Sequence, residues 1–191
     1  SPSIPNVRCA NREAGAMATR ALLEAGCRHP LLLTSRLGPR NLREAGFRAE
    51  VERAGLEARV ITVPFDTPTP QRFAMVQGSL DQARTDAPID GIFATDDLAA
   101  AEVLEWARAR DLSVPGDLSV IGFDGTESMR RALPHLATIR QPIEQIARAA
   151  VDILLEQMEG AARRPIDEAG ESPAPTLEFP GTLIPGRSLS A

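Results

Sequence analysis

The sequence predicts an α/β fold, a parallel sheet with helices on both of its faces. Two observations carry this. Short apolar, β-branched runs (PLLLTS, ARVITVPF, IDGIFA, LSVIGF) recur along the chain, and each pair is separated by a segment with helical spacing of its apolar residues. Strands that alternate with helices of this length form right-handed βαβ units, whose helices cover a parallel sheet on both sides.

Taken in order, residues 12–26 place Ala18, Ala21, Leu22 and Ala25 on one helical face, with Gly26 as a natural C-terminal stop. The first strand covers 30–35. A weaker helix over 40–54 ends at Gly55, and 58–65 is a β-branched strand. The next helix, 70–85, aligns Phe73, Val76, Leu80 and Ala83. After a strand at 89–94, the helix over 97–110 turns Ala100, Val103, Leu104 and Ala107 inward, and 118–123 is the fourth strand. Beyond it the rhythm changes. LATIRQP (136–142) is an extended crossing segment. The helix over 143–160 carries a continuous stripe of Ile146, Ala147, Ala150, Val151, Leu154 and Met158. The acidic, Pro- and Gly-rich stretch 161–175 reads as a mobile surface loop, and 176–188 as an extended tail.

Composition narrows the function. With 43% hydrophobic and 25% charged residues, the 191-residue chain is an ordinary globular protein, able to form one large domain or two small lobes. Its net charge of -5 and the absence of basic runs longer than Arg163-Arg164 leave no basic stripe for nucleic acid. Cys9 and Cys27 have no metal-ligand spacing and suit a reducing cytosol, although one bridge is compatible with the sequence. No apolar run has membrane length, and the start does not resemble a signal peptide. Because it opens on SPSIPNV without Met, the chain reads as a fragment or a processed product.

The predicted strands end at Thr34-Ser35, Pro64-Phe65, Thr95-Asp96 and Asp124-Gly125, and open parallel sheets bind ligands outside such ends. Two of these ends are acidic. A metal site is poorly supported there, since His29 and His135 lie away from the strand ends. No glycine–lysine phosphate loop, dinucleotide fingerprint or nucleophile elbow is present. Hydroxyl binding fits best: a carboxylate accepts from two adjacent sugar hydroxyls, and a guanidinium donates to two oxygens. A purely structural reading stands beside this one. Asp97 suits an N-cap, Asp96 suits a cap or a ligand contact, and Asp124, with no clear helix after it, suits a ligand contact.

DGIFATDDLAAAEVLEWARARDLSVPGDLSVIGFDGTES, then LPHLATIRQPIEQIARAAVDILLE, resembles the effector-binding region of the LacI/GalR family of transcriptional regulators. Upstream, ANREAGAMATRALLEAGCRHPLLLTS and REAGFRAEVERAGL are similar to further family stretches, as is the TLIPGRS tail, so the likeness spans essentially the whole chain. Cys27, Pro30 and Asp96 depart from the usual His, Arg-x-Ile and Asn. The resemblance implies a type I periplasmic-binding-protein-like fold of two lobes, with a cleft between them for a sugar or nucleoside. It assigns 1–11 to a remnant of the first lobe and 12–133 to the second. Residues 134–160 would cross back and dock a helix on the first lobe, and 176–191 would return to the second. It also implies a homodimer acting in the cytoplasm. Operator DNA would be bound by a helix-turn-helix domain that this chain lacks, and no cofactor or catalysis is expected. By residue, Arg43, Asp96 and Asp124 match ligand-contacting positions. Phe73 lies near a position where an aromatic stacks on sugar, although its periodicity also suits the core, and Phe65 is the other stacking candidate. A periplasmic sugar-binding protein of a transporter shares the fold and is the alternative; an enzyme built on Asp and Arg is a third reading.

Overall fold

The computed structural model describes residues 5–35, 41–64, 66–161 and 176–190. Phe65 and the stretch 162–175 lie outside the described residues, and with them most of the predicted surface loop. The chain forms β1 (Asn6–Cys9), α1 (Asn11–Glu24), β2 (Pro30–Thr34), α2 (Leu42–Arg53), β3 (Arg59–Thr62), α3 (Thr69–Asp86) and β4 (Gly91–Ala94). It continues with α4 (Asp97–Arg108), β5 (Ser119–Asp124), α5 (Glu127–Ala132), β6 (Ala137–Arg140), α6 (Ile143–Ala161), β7 (Thr176–Phe179) and β8 (Thr182–Ile184).

Six strands form the main sheet in the order β3-β2-β4-β5-β6-β8, and all neighbours are parallel except β8, which runs antiparallel to β6. The four predicted strands are therefore its first four members. Two corrections follow. The segment 136–142 is no mere crossing: Ala137, Thr138 and Ile139 are buried in a strand paired with β5. The tail does not return to one place either. β7 pairs with β1 in a separate two-stranded sheet, and only β8 joins the main one. Apolar pattern is silent on such pairing, because an edge strand is chosen by its neighbour.

Both faces of the sheet are covered. On one, Ala14, Ala18 and Leu22 of α1 and Phe47 and Val51 of α2 pack against Leu32, Phe93, Ile121 and Phe123. On the other, Val76 and Leu80 of α3 and Ala100, Val103 and Trp106 of α4 pack against Leu31, Leu33, Ile92 and Val120. Near-continuous burial along β2 and β4 explains their uniformly apolar sequence. The indole Nε1 of Trp106 donates to Asp81 Oδ1 at 3.0 Å, and Arg72 of α3 pairs with Glu102 of α4 inside the structure. Helix α6 is different. It meets β1, and Ile146 packs against the α1–α2 core, but Val151, Leu154, Leu155 and Met158 are more than half exposed.

Consecutive strands β2 and β3 are neighbours, yet β4 joins on the opposite side of β2. The chain thus reverses direction across the sheet at β2. In open sheets of this class such a switch point opens a crevice at the C-terminal strand ends.

Candidate ligand-binding cleft

The crevice at this switch point has a volume of about 420 Å³. Its lining brings together Ser35 after β2, Asn41 and Arg43 at the head of α2, Asp96 after β4, Asp124 at the end of β5, and Gln141 after β6.

Arg43 is placed by a tight helix crossing. A Cβ on Gly15 of α1 would lie 2.3 Å from the Arg43 carbonyl oxygen, and one on Gly46 would lie 2.1 Å from that of Arg12. Only paired glycines let α1 and α2 approach so closely. The guanidinium then spreads 3.5 Å over the centre of the Phe123 ring, a cation–π geometry. It donates from Nε to Asn11 Oδ1 at 2.8 Å and from Nη1 to the Thr95 carbonyl. Its Nη1 also stands 3.8 Å from Asp124 Oδ1.

Of the two aspartates after β4, the cap expected of Asp97 falls to Asp96, and Asp97 takes a buried role that the sequence does not suggest. Asp96 is the N-cap of α4, its Oδ1 accepting from the Ala99 N–H at 2.8 Å, while its Oδ2 lies 3.5 Å from Ser35 Oγ. Asp97 is buried, accepting from the Thr138 hydroxyl at 2.6 Å and from the Gly125 N–H at 2.8 Å. A fully extended residue suits the cap (φ -152°, ψ 159° at Asp96), and the first helical residue then points back beneath the sheet end. Asp124 is also not followed by plain loop: Thr126 caps the short helix α5.

Phe73 does not join this group. It is 40% exposed on α3, neither in the core nor among the residues lining the cleft. Periodicity places it on the buried face, but it sits in the first turns of α3, and burial on that helix is concentrated at Arg72, Val76 and Leu80.

A family model described as periplasmic binding protein-like domain matches residues 19–189. The chain belongs to the periplasmic binding protein-like domain family. It is similar to the sucrose operon repressor of Streptococcus mutans serotype c, with 31% identity over 171 residues, which are 83% of this chain and 48% of the repressor. Its fold is similar to that of a periplasmic binding protein/LacI transcriptional regulator from Alkaliphilus metalliredigens QYMF, complexed with D-xylulofuranose. That likeness has a TM-score of 0.77 and 26% identity and covers 100% of this chain and 67% of the other. A LacI transcriptional regulator from a Rhodococcus species gives a TM-score of 0.81 and 26% identity, covering 100% and 66%. The chain spans about half the length of the curated relatives it matches.

Within this family fold, the structure brings three of the four expected site residues to one cleft: Arg43, Asp96 and Asp124. Sequence reasoning missed Ser35, Asn41 and Gln141. Asn41 carried a legible signal, since Asn41 with Glu44 three residues on has the form of a capping box, and Asn41 accepts from the Glu44 N–H at 3.3 Å. Gln141 carried only its place in the TIRQP segment of the family resemblance, which names no role for it.

The cleft's charge is mainly that of carboxylates. Burial pushes the Asp124 carboxyl above its ordinary range, Arg43 and the Gln141 amide pull it back, and Asp96 adds to the rise. Such a group adds stability below its unfolded pKa, and this contribution is lost as pH rises through the raised folded value. Thermal unfolding midpoints are therefore expected to climb as pH falls from neutral into the upper carboxylate range. The climb is expected to be shallower in Asp124→Asn, which cannot titrate. Glu102, whose burial raises it as well, contributes alike to both proteins, while Asp97 loses in Asp124→Asn the neighbouring charge that adds to its own rise, which lowers the climb in the same direction. Parallel profiles for the two would show that Asp124 is not perturbed by burial.

Proposed function

We propose that the cleft binds a neutral polyhydroxylated ligand, a sugar or nucleoside, and that the chain is the effector-sensing part of a LacI-type transcriptional regulator. The observation that carries this is the meeting of Arg43, Asp96 and Asp124 at the sheet's switch point, with Ser35, Asn41 and Gln141 around them. Carboxylate and amide oxygens accept from hydroxyls, and the guanidinium and amide N–H groups donate to ring and hydroxyl oxygens. Asp96, Asp97 and Asp124 against Arg43 disfavour an anion. The sucrose operon repressor and the D-xylulofuranose complex among the similar proteins support a sugar.

The small β1–β7 sheet and α6 belong, in this reading, to a second lobe that closes over the ligand. The exposed apolar residues of α6 support this, since stripes of that kind mark interfaces. A ligand that binds the closed arrangement more tightly shifts the population toward it, and so changes operator affinity in a cytoplasmic homodimer whose helix-turn-helix domain meets the DNA. Similarity to repressors favours this reading over a transporter's sugar-binding protein or an enzyme. Among the described residues, no helix is long and apolar enough to cross a membrane.

A thermal-shift panel tests the ligand class, because a ligand that binds only the folded state raises the melting point. At a concentration about 100 times its Kd, a ligand adds about 2.7 kcal/mol. Sucrose, D-ribose, D-xylulose, cellobiose and adenosine are set beside the corresponding sugar phosphates. At least one neutral compound is expected to stabilise the chain. Stabilisation by the phosphates alone would overturn the assignment.

A further inference from the structure

Asp124 is held in a conformation it would not choose. Its φ is 109°, a region that residues with a side chain rarely occupy, so the surroundings must fix it. Three contacts do so. The Gln141 N–H donates to the Asp124 carbonyl at 3.1 Å, the Gln141 Nε2 donates to Asp124 Oδ1 at 2.6 Å, and the Gly125 N–H donates to Asp97. Gly125 is wedged against β6, where a Cβ would come within 2.7 Å of Arg140 Cα. Two of the three contacts come from one residue.

Gln141 is well placed for this. It lies between β6 and α6, and Pro142 after it restricts its backbone to extended conformations, which gives the amide a fixed base. A second side-chain amide supports Arg43 in a similar way: Asn11, the first residue of α1, accepts from Arg43 and anchors its own amide on the Cys9 carbonyl at 2.9 Å. Among the described residues, Asp124 Oδ2 makes no hydrogen bond.

We propose that Gln141 is the positioning residue of the cleft, holding Asp124 through Oδ1 so that Oδ2 remains the acceptor for a ligand hydroxyl. The assignment rests on the reading of the cleft as a polyol site, and its test is arranged so that the two can fail separately. Besides Gln141, the groups facing Asp124 are Arg43 of α2, Asp96 and Asp97 at the head of α4, and Cys9 of β1. None of these changes in the variants.

The Asp124 carboxyl carbon is followed by NMR against pH, without sugar, in the wild-type chain, Gln141→Met and Gln141→Glu. Gln141→Met keeps the length and removes the donor, so the Asp124 midpoint is expected to move up. In Gln141→Glu the two carboxyls are expected to titrate in two coupled steps, sharing one proton between them. With D-xylulose as probe, Gln141→Met is expected to bind about tenfold more weakly at neutral pH, the loss expected for a hydrogen bond to a charged group. Gln141→Glu should be at least as weak there and recover as pH falls, when the protonated Glu again donates to Asp124. A residue that served only to pack would show no such recovery. A folded Gln141→Met with an unmoved Asp124 midpoint would overturn the proposal, as would a Gln141→Glu that stays weak through the shared-proton step. If the midpoints move as expected but wild-type chain binds no D-xylulose, the positioning stands and the polyol reading loses that sugar.

Discussion

Gly46→Ala is expected to destabilise the chain by about 2 kcal/mol or more, although alanine is the better helix former by about 1 kcal/mol. The added Cβ would stand 2.1 Å from the Arg12 carbonyl oxygen and 2.6 Å from the Ala16 backbone nitrogen. Those are backbone atoms of α1, which cannot turn aside as a flexible side chain can. The helices must separate, opening the core that Ala14, Ala18, Phe47 and Val51 fill between them and the sheet. Gly78→Ala on α3 is the control. Nothing lies within 4 Å of its Cβ position, so there the helix propensity is expected to prevail and stability to rise by about 0.5 to 1 kcal/mol. Urea unfolding of the two variants measures the contrast. A Gly46→Ala protein as stable as Gly78→Ala would mean that the close α1–α2 crossing is wrong.

Arg43→Ala is expected to abolish most of the sugar response, with affinity falling about ten- to a hundredfold. Hydrogen bonds to a charged group are worth about 1.5–3 kcal/mol each. The substitution also removes the cation that pulls the Asp124 pKa down, so Asp124 should titrate higher in the variant. Arg43→Lys separates the two effects. It restores a positive charge near Asp124 but lacks the planar fork that spans Asn11 and the Thr95 carbonyl. Lysine is thus expected to bring back the Asp124 midpoint without the affinity. Calorimetric titration with whichever panel sugar stabilises the wild-type chain reads both variants, and undiminished affinity in Arg43→Ala would remove the guanidinium from the site.

Much of this architecture is legible in the chain because periodicity is a local property. The helices α1, α3 and α4 show their buried faces as recurring apolar positions, and the β2 to β5 strands show theirs as apolar runs. The acidic strand ends are legible for the same reason, since a strand that stops on Asp96 or Asp124 says where the sheet's edge lies. What Asp96 and Asp97 each do was not legible. Two adjacent aspartates at a helix start are interchangeable as letters, and only the extended backbone at Asp96 assigns it the cap and sends Asp97 under the sheet to Thr138 and Gly125.

The α/β alternation, four of the six main-sheet strands and the polar residues at their ends are legible in the chain, because burial period and strand termination are written within each segment. Tertiary structure alone decided which of those polar residues meet. Arg43 reaches Asp124 because two glycines on different helices, Gly15 and Gly46, allow a close crossing. Gln141 reaches Asp124 because β6 lies beside β5, a pairing between segments that no local pattern encodes. Phe73 stays out of the cleft, and β7 parts from β8, for the same reason: contact across the chain depends on the packing of whole elements, and a residue's neighbours in sequence do not fix it.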